Sequence, residues 1–127
     1  RFPKLKFVYV ENEVAWLPFY VHEWDKYYKR FCTKTPLPFM KKLPGEYVTE
    51  QVYATFFSDP TGGWIMGHYG QDTFMWSNDY PHAASTWPHS RQVIAEELGH
   101  LPQAVLRKVV RENVIKLYNL KIDGVNA

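Results

Sequence analysis

The sequence predicts an α/β fold built around a parallel sheet. Short runs of aromatic and β-branched residues alternate with helical patterns, in the order strand, helix, strand, short helix, strand and two helices. The first run, residues 5–11, is apolar on both faces, which is typical of a buried parallel strand. With 127 residues, 46% hydrophobic and 22% charged, the chain is predicted to form one ordinary globular domain.

The segment after the first strand is predicted to be an amphipathic helix. Its large apolar residues recur every three or four positions from Trp16 to Phe31, with charged residues opposite. We expect this aromatic stripe to pack into the core. Residues 33–45 contain three prolines and a glycine and are predicted to form a loop, and residues 46–51 to form one helical turn.

Two further strands are predicted at residues 52–57 and 73–77, and each is followed by polar residues. Between them, the sequence TGG at 61–63 is expected to break the chain, and residues 64–70 to form no more than a short helix.

Two helices are predicted to close the chain. The first begins near Pro88 and ends at Gly99, a residue that suits the position after a helix. The second begins after Pro102 and continues to Tyr118 along one apolar stripe. The tail from Lys121 is expected to fray.

Composition excludes several classes of function. A net charge of +2, from 15 basic and 13 acidic residues, does not favour nucleic-acid binding, and no apolar run has the length of a membrane span. The single cysteine, Cys32, has no internal disulfide partner, so we interpret it as a packed thiol and expect a reducing, cytoplasmic location. Because the chain opens at Arg1 without an initiator Met, we expect the natural protein to begin further upstream.

Each predicted strand ends in a carboxylate: Glu11, Asp59 and Asp79. In parallel α/β folds, functional groups gather at the carboxyl ends of strands. For Asp59 a solvated turn is the simpler interpretation, and for Glu11 a turn and a functional site are equally open. Asp79 precedes a stiff Tyr-Pro turn and is either a capping residue or a group that binds a metal and accepts a proton.

Two histidines lie in the same region. His82 and His89 are seven positions apart across a proline-containing loop, which is not the spacing of a helical metal pair. Hydrogen bonds to the loop backbone are therefore sufficient to explain either residue.

The segment at 74–120, FMWSNDYPHAASTWPHSRQVIAEELGHLPQAVLRKVVRENVIKLYNL, resembles the C-terminal end of amidohydrolase-related enzymes of the aminocarboxymuconate-semialdehyde decarboxylase type. The matching motifs are Ser77-Asn78-Asp79-Tyr80-Pro81-His82, Trp87-Pro88, Leu101-Pro102, Asn113 and Leu117-Tyr118. The segment at 2–18, FPKLKFVYVENEVAWLP, resembles the sixth strand of that family and the start of its helix.

This resemblance implies a metal-dependent (β/α)8 barrel, a TIM barrel, that acts on small carboxylated, often aromatic, compounds. Residues 1–127 would be the C-terminal part of one such domain, about strands 6–8 with their helices. Asp79 would be the catalytic aspartate that holds a divalent metal, usually zinc, and relays protons. Glu11, His82 and Trp87 are the candidates for contacts with substrate. The implied function is that of a metal-dependent hydrolase or decarboxylase.

The chain departs from the family pattern at two places. Ser77 and Asn78 stand where Gly and Ser are common, and Glu11-Asn12-Glu13 stands where many members carry a catalytic His followed by glycines. The second departure leaves hydrolysis and decarboxylation both open. It also leaves an alternative, a non-catalytic barrel remnant that acts as an interaction or structural module.

A complete barrel needs roughly 250 residues. The family's first-strand His-x-His pair and fifth-strand His do not occur in this sequence. Since a catalytic zinc takes three protein ligands, we expect the chain alone to bind no metal and to be inactive. We also expect one uncovered sheet edge and one uncovered apolar face, with the N-terminal part of the barrel as partner. Dimers are common in the family, so a homodimer is a further expectation.

Overall fold

The computed structural model describes residues 2–32, 34–35 and 37–122, and within them one parallel sheet has the order β1-β2-β3. The strands are β1 (Phe7–Tyr9), β2 (Val52–Phe56) and β3 (Phe74–Trp76). The helices are α1 (Leu17–Cys32), α2 (Pro44–Gln51), α3 (Pro60–Ile65), α4 (Ser90–Leu98), α5 (Gln103–Arg107) and α6 (Asn113–Tyr118), with a π-helical turn over Lys108–Glu112 between the last two. The predicted α/β class and parallel pairing are confirmed.

The core lies on one face of the sheet. In the parallel register Ala54 is opposite Phe74, and Phe56 is opposite Trp76, so these residues share that face. Phe56 and Phe74 are 1% and 0% exposed. Their buried partners come from the helices and from the turns that precede them: Val14, Leu17, Met66, Leu98, Leu101, Val105 and Val109.

Trp16, the first residue of the predicted aromatic stripe, packs against this core, but five aromatic residues of α1 do not pack into it. The buried residue of α1 is Leu17, whereas Phe19, Tyr20, Trp24, Tyr27 and Phe31 remain between 42% and 63% exposed. The aromatic rings contact one another instead, with centroids 6.0 Å apart for Tyr20 and Trp24. The predicted core packing is therefore wrong, because no described residue covers this side of the helix.

Strand β1 is less buried than its composition predicts. Phe7 and Tyr9 are 53% and 46% exposed. As the sheet stands, β1 and β3 are both outer strands, so each has one unpaired edge within the described part of the chain. The expectation of a buried strand was wrong for β1, and the sheet has two open edges where one was expected.

Helix α2 begins earlier than the proline-rich pattern predicts. Pro44 is its first residue, and the backbone N–H of Gly45 donates to Oδ1 of Asp25 at 2.7 Å. Proline suits this position because the first N–H groups of a helix have no partner within it. The predicted loop therefore ends before residue 44. Of that loop, residues 33 and 36 lie outside the described part.

Helix α3 contains the glycines that were expected to break the chain. Both Gly62 and Gly63 are buried in it, and a Cβ on Gly63 would lie 2.6 Å from the carbonyl oxygen of Glu97. The absence of side chains thus allows α3 to approach the end of α4 closely. Tertiary packing overrides the weak helix propensity of glycine at these positions.

The closing helices follow the predicted order, with two differences. Helix α4 ends at Leu98, but Gly99 has a right-handed φ of −62° and so does not use glycine's conformational freedom. The π-helical turn adds a residue to one turn, which rotates the following segment by about 100°. Ile115 is consequently buried, whereas Tyr118, expected on the apolar stripe, is 55% exposed.

Asn113 is buried directly after this π-helical turn. Its Nδ2 donates to the carbonyl oxygens of Gln71 and Phe74, at 2.9 and 2.8 Å, and so ties α6 to β3. Residues 123–127 lie outside the described part, so the expectation of a frayed tail is not tested there. Among the described helices, none combines the length and apolarity needed to cross a bilayer.

Candidate metal centre

The turns that follow the three strands place their carboxylates in different environments. The turn after β1 is tied to β2, because the N–H of Glu11 donates to Oγ1 of Thr55 at 3.0 Å. Strand pairing therefore brings this turn to the same edge of the sheet as the turns that follow β2 and β3.

Asp59, after β2, has a structural role. Its Oδ2 accepts the N–H groups of Val14 and Ala15 at 2.8 and 2.9 Å, and its Oδ1 accepts the N–H of Gly62 at 2.7 Å. The residue is 7% exposed. The expected solvated turn is wrong: Asp59 caps α3 and holds the segment that leads into α1.

Asp79 lies three residues beyond β3, and one oxygen of its carboxylate is buried. Its φ is 57°, and its side chain is 22% exposed. Oδ2 is buried, and no described residue hydrogen-bonds to it. His82 Nδ1 lies 3.0 Å away but outside hydrogen-bond geometry. A buried carboxylate oxygen in this state is costly unless a cation or proton compensates it.

Glu11, Asp79 and His82 converge at this edge of the sheet. Each offers one ligand atom, and these three atoms lie within 4.8 Å of one another. Carboxylate oxygen and imidazole nitrogen are ordinary zinc ligands, and three is the number of protein ligands in a catalytic zinc site. The described chain thus brings three donor atoms together where the sequence assigned one.

The backbone of this site is strained at the turn after β1. Glu11 and Glu13 have φ values of 61° and 49°, in the left-handed region that glycine adopts freely. Such residues cost of the order of 1–3 kcal/mol each and cluster at functional sites. The turn therefore carries a conformational cost, which the surrounding structure must compensate.

Glu13 is the residue at this edge that sequence reasoning did not single out. Burial raises its pKa above the usual carboxyl value, and the nearby carboxylates of Asp59 and Glu97 raise it further. The N–H of Phe57, 3.4 Å from Oε2, acts in the opposite direction. Its position two residues after Glu11 was the only signal available in the sequence.

Trp87 lies at the far end of the loop that begins at Asp79. It is 61% exposed, and its ring contacts that of Tyr80 edge-to-face at 6.0 Å. The peptide bonds Tyr80-Pro81 and Trp87-Pro88 are both cis. The ring contact and the exposure of both residues place Tyr80 and Trp87 together at the surface of the loop that carries His82.

Two other residues considered in the sequence analysis lie outside this group of three donors. His89 precedes α4 and makes no capping bond with its side chain. Cys32, interpreted as a packed thiol, is a half-buried free cysteine.

Comparisons with known proteins agree with this fold. The sequence profile of the amidohydrolase family matches residues 1–120. No curated protein gives a significant match.

Eleven chains of solved structures match. One of them is 5-carboxyvanillate decarboxylase LigW from Sphingomonas paucimobilis, which has 23% sequence identity and a TM-score of 0.73. That match covers 95% of this chain and 36% of LigW, and at this identity it shows a shared fold. Because the family profile covers nearly its whole length, the chain belongs to the amidohydrolase family.

Proposed function

We propose that the protein carrying this chain is a metal-dependent hydrolase or decarboxylase that acts on a small carboxylated compound. The observation that carries the proposal is that no described residue hydrogen-bonds to the buried Oδ2 of Asp79, whose carboxylate lies beside donor atoms of Glu11 and His82. Membership of the amidohydrolase family supports the same chemistry. The cytoplasm remains our proposed location.

Zinc is the proposed metal, because the converging donors are carboxylate oxygens and an imidazole nitrogen. The family resemblance implies Asp79 as a ligand, and we propose Glu11 and His82 as further candidate ligands because their donor atoms and that of Asp79 lie within 4.8 Å of one another. A divalent ion bound there would polarise a carbonyl or carboxylate oxygen and acidify a bound water.

We propose that Asp79 and His82 carry out proton transfer at this site. Asp79 is partly buried, and its uncompensated oxygen is suited to accept a proton from water or substrate. His82 is 59% exposed in its side chain and lies 3.0 Å from that oxygen, so it links the carboxylate to solvent. If His82 or Glu11 does not bind the metal, we propose that it contacts the substrate directly.

An aromatic substrate ring is the proposed neighbour of Tyr80 and Trp87. These two residues are 65% and 61% exposed beside the turn that carries Asp79, and aromatic rings bind other rings by offset or edge-to-face contact. The similar solved structure is named a 5-carboxyvanillate decarboxylase, which supports a carboxylated substrate.

The complete protein would also contain the rest of the barrel. The unpaired edge of β1 continues into the exposed aromatic surface of α1 through the ring contacts Tyr9–Trp16 and Trp16–Tyr20, at 6.1 and 5.8 Å. A parallel strand followed by a helix would cover both features together. We therefore propose that the remaining N-terminal part of the barrel lies against this side. A homodimer remains a further proposal.

The exposed aromatic surface also favours the second candidate function, an interaction module without chemistry. An interaction module would explain the exposed surface of α1. It would not explain the strained backbone of Glu11 or the buried Oδ2 of Asp79, to which no described residue hydrogen-bonds. Metal binding therefore separates the two candidates.

The test is zinc affinity of the complete protein, measured by competition with a chromogenic chelator. Asp79→Asn keeps the shape of the side chain but removes its charge, and we expect zinc affinity to fall at least about 100-fold. Asp72→Asn is the control: this exposed aspartate, paired with Lys108 before β3, should leave affinity unchanged. Equal affinity of wild type and Asp79→Asn would contradict the metal site and favour the interaction module.

A further inference from the structure

The loop that carries Asp79 and His82 is closed at its base by hydrogen bonds to one carbonyl group. The carbonyl oxygen of Asn78 accepts the N–H of Thr86 at 3.1 Å and the hydroxyl of Ser85 at 2.7 Å. The two ends of the loop are therefore joined directly before Asp79, although they are seven and eight residues apart in the chain.

Ser85 connects both sides of this closure. Its Oγ donates to the carbonyl oxygen of Asn78 and accepts the N–H of Trp87 at 3.1 Å. The side chain is half-buried, so water competes with these bonds less than at an exposed position. One hydroxyl thus satisfies groups on the incoming and the outgoing segment.

A second set of bonds spans the backbone of Asp79 itself. Oδ1 of Asn78 accepts the N–H of Tyr80 at 3.1 Å, which is an Asx turn across Asp79. The carbonyl oxygen of Asp79 in turn accepts the N–H of His82 at 2.9 Å. The peptide groups on both sides of Asp79 are therefore held, and its φ of 57° lies between them.

We infer that Asn78 and Ser85 are positioning residues: their hydrogen bonds form a latch that holds Asp79 in its left-handed conformation and so directs its carboxylate toward Glu11 and His82. The latch is defined as the bonds that Asn78 makes with Tyr80, Ser85 and Thr86. The left-handed region is sparsely populated by residues other than glycine, so an unlatched Asp79 would relax to a right-handed or extended φ. Relaxation would move the side chain away from the other two donors.

The inference deepens the proposed function but can be tested without metal. The N–H of His82 bonds to the carbonyl of Asp79 and not to the side chain of Ser85 or Asn78; the bond between His82 and Ser85 joins the His82 carbonyl to the Ser85 N–H, which a substitution of the Ser85 side chain leaves in place. Its hydrogen-exchange rate therefore reports whether the turn at Asp79 is held. In the complete protein we expect Ser85→Ala to accelerate exchange of this amide about fivefold, the factor of one ordinary hydrogen bond.

Two variants make that measurement specific. Ser85→Thr keeps the hydroxyl and should restore the wild-type rate. Ser58→Ala removes a serine hydroxyl that bonds to Oε1 of Glu97 in the turn after β2, and it should leave the amide of His82 unchanged. Should Ser85→Ala fail to fold, Asn78→Ala removes only the bond to Tyr80 and should accelerate the same amide. An unchanged rate at His82 in the variants that fold would overturn the latch.

Zinc affinity of the same variants gives the functional result. We expect Ser85→Ala to weaken zinc binding about tenfold, as loss of residues that orient metal ligands does, and Ser85→Thr to restore it. A merely stabilising role would lower the melting temperature and leave affinity unchanged, which would contradict the inference. If exchange at His82 responds but the wild type binds no zinc, the latch stands and the proposed function fails.

Discussion

Asp59 and Asp79 end neighbouring strands in similar sequence contexts, yet they are used in opposite ways. Three backbone N–H groups bond to the carboxylate of Asp59, whereas Oδ2 of Asp79 has no hydrogen bond from any described residue. In the turn after β2, the carboxylate of Asp59 is buried and engaged. The turn after β3 carries a buried oxygen and faces two other donor groups.

The difference indicates that Asp59 contributes to the stability of the fold, whereas Asp79 is available to bind a ligand. A carboxylate with both oxygens engaged by N–H groups stabilises the fold and accepts a proton or a cation only at the cost of those bonds. One with a free oxygen is costly to the folded state and available to a ligand. The loss of each aspartate should therefore appear in a different measurement.

The largest effect is expected for Asp79→Ala on catalysis. Removing the metal ligand and proton acceptor should lower kcat/KM at least about 1000-fold, or about 4 kcal/mol. The free energy of unfolding should change by less than about 1 kcal/mol, because the side chain makes no bond that the fold needs. Steady-state kinetics and urea denaturation of the complete protein test both parts. Unchanged turnover would remove Asp79 from the proposed mechanism.

Asp59→Ala should show the reverse pattern. It leaves three N–H groups unpaired, those of Val14, Ala15 and Gly62, and should lower the free energy of unfolding by about 3 kcal/mol. Zinc affinity, measured where the variant is still folded, should stay within about threefold of wild type. A large loss of affinity at full stability would mean that the two turns are not separate in function.

Gly62→Ala sharpens the comparison on the Asp59 side. A Cβ at this position would lie 2.5 Å from Oδ2 of Asp59 and 2.7 Å from Val14, so the cap must shift. We expect destabilisation of about 2 kcal/mol. Gly67→Ala is the matched control, because its Cβ would meet no atom within 4 Å and its effect should be under about 0.5 kcal/mol. Thermal melts of both variants provide the measurement.

The smallest effect concerns the pH dependence of stability at Glu13. Burial raises the pKa of Glu13 above its ordinary value of 4.5, so the folded protein holds this proton more tightly than the unfolded chain. The free energy of unfolding should consequently fall as pH rises from about 4.5 through the raised value. Glu13→Gln should remove this slope, gaining less than about 1 kcal/mol at pH 7 because the group is partly solvated. Denaturation curves of wild type and Glu13→Gln at pH 4 and pH 7 test this prediction. If the two proteins differed in free energy of unfolding by the same amount at both pH values, the prediction would be contradicted.

Sequence reasoning succeeded where the signal is local. Strand and helix order, the parallel class and the position of Asp79 beyond β3 follow from periodicity and from a motif of consecutive residues. It failed at residues 61–63, where glycine's low helix propensity predicted a break, and at the stripe from Trp16 to Phe31, where an apolar face was taken as buried. In both cases the outcome depends on what lies against the helix, which local pattern does not contain.

The sequence by itself determined that carboxylates follow the strands and that one of them, Asp79, sits in a family motif. Only the tertiary structure decided what each carboxylate does. Two of the three donors that engage Asp59 belong to Val14 and Ala15, 45 and 44 positions away, and Glu11 meets Asp79 and His82 from a different turn, the one after β1. Hydrogen-bond satisfaction is a property of groups brought together by folding, so no short stretch of sequence can state it.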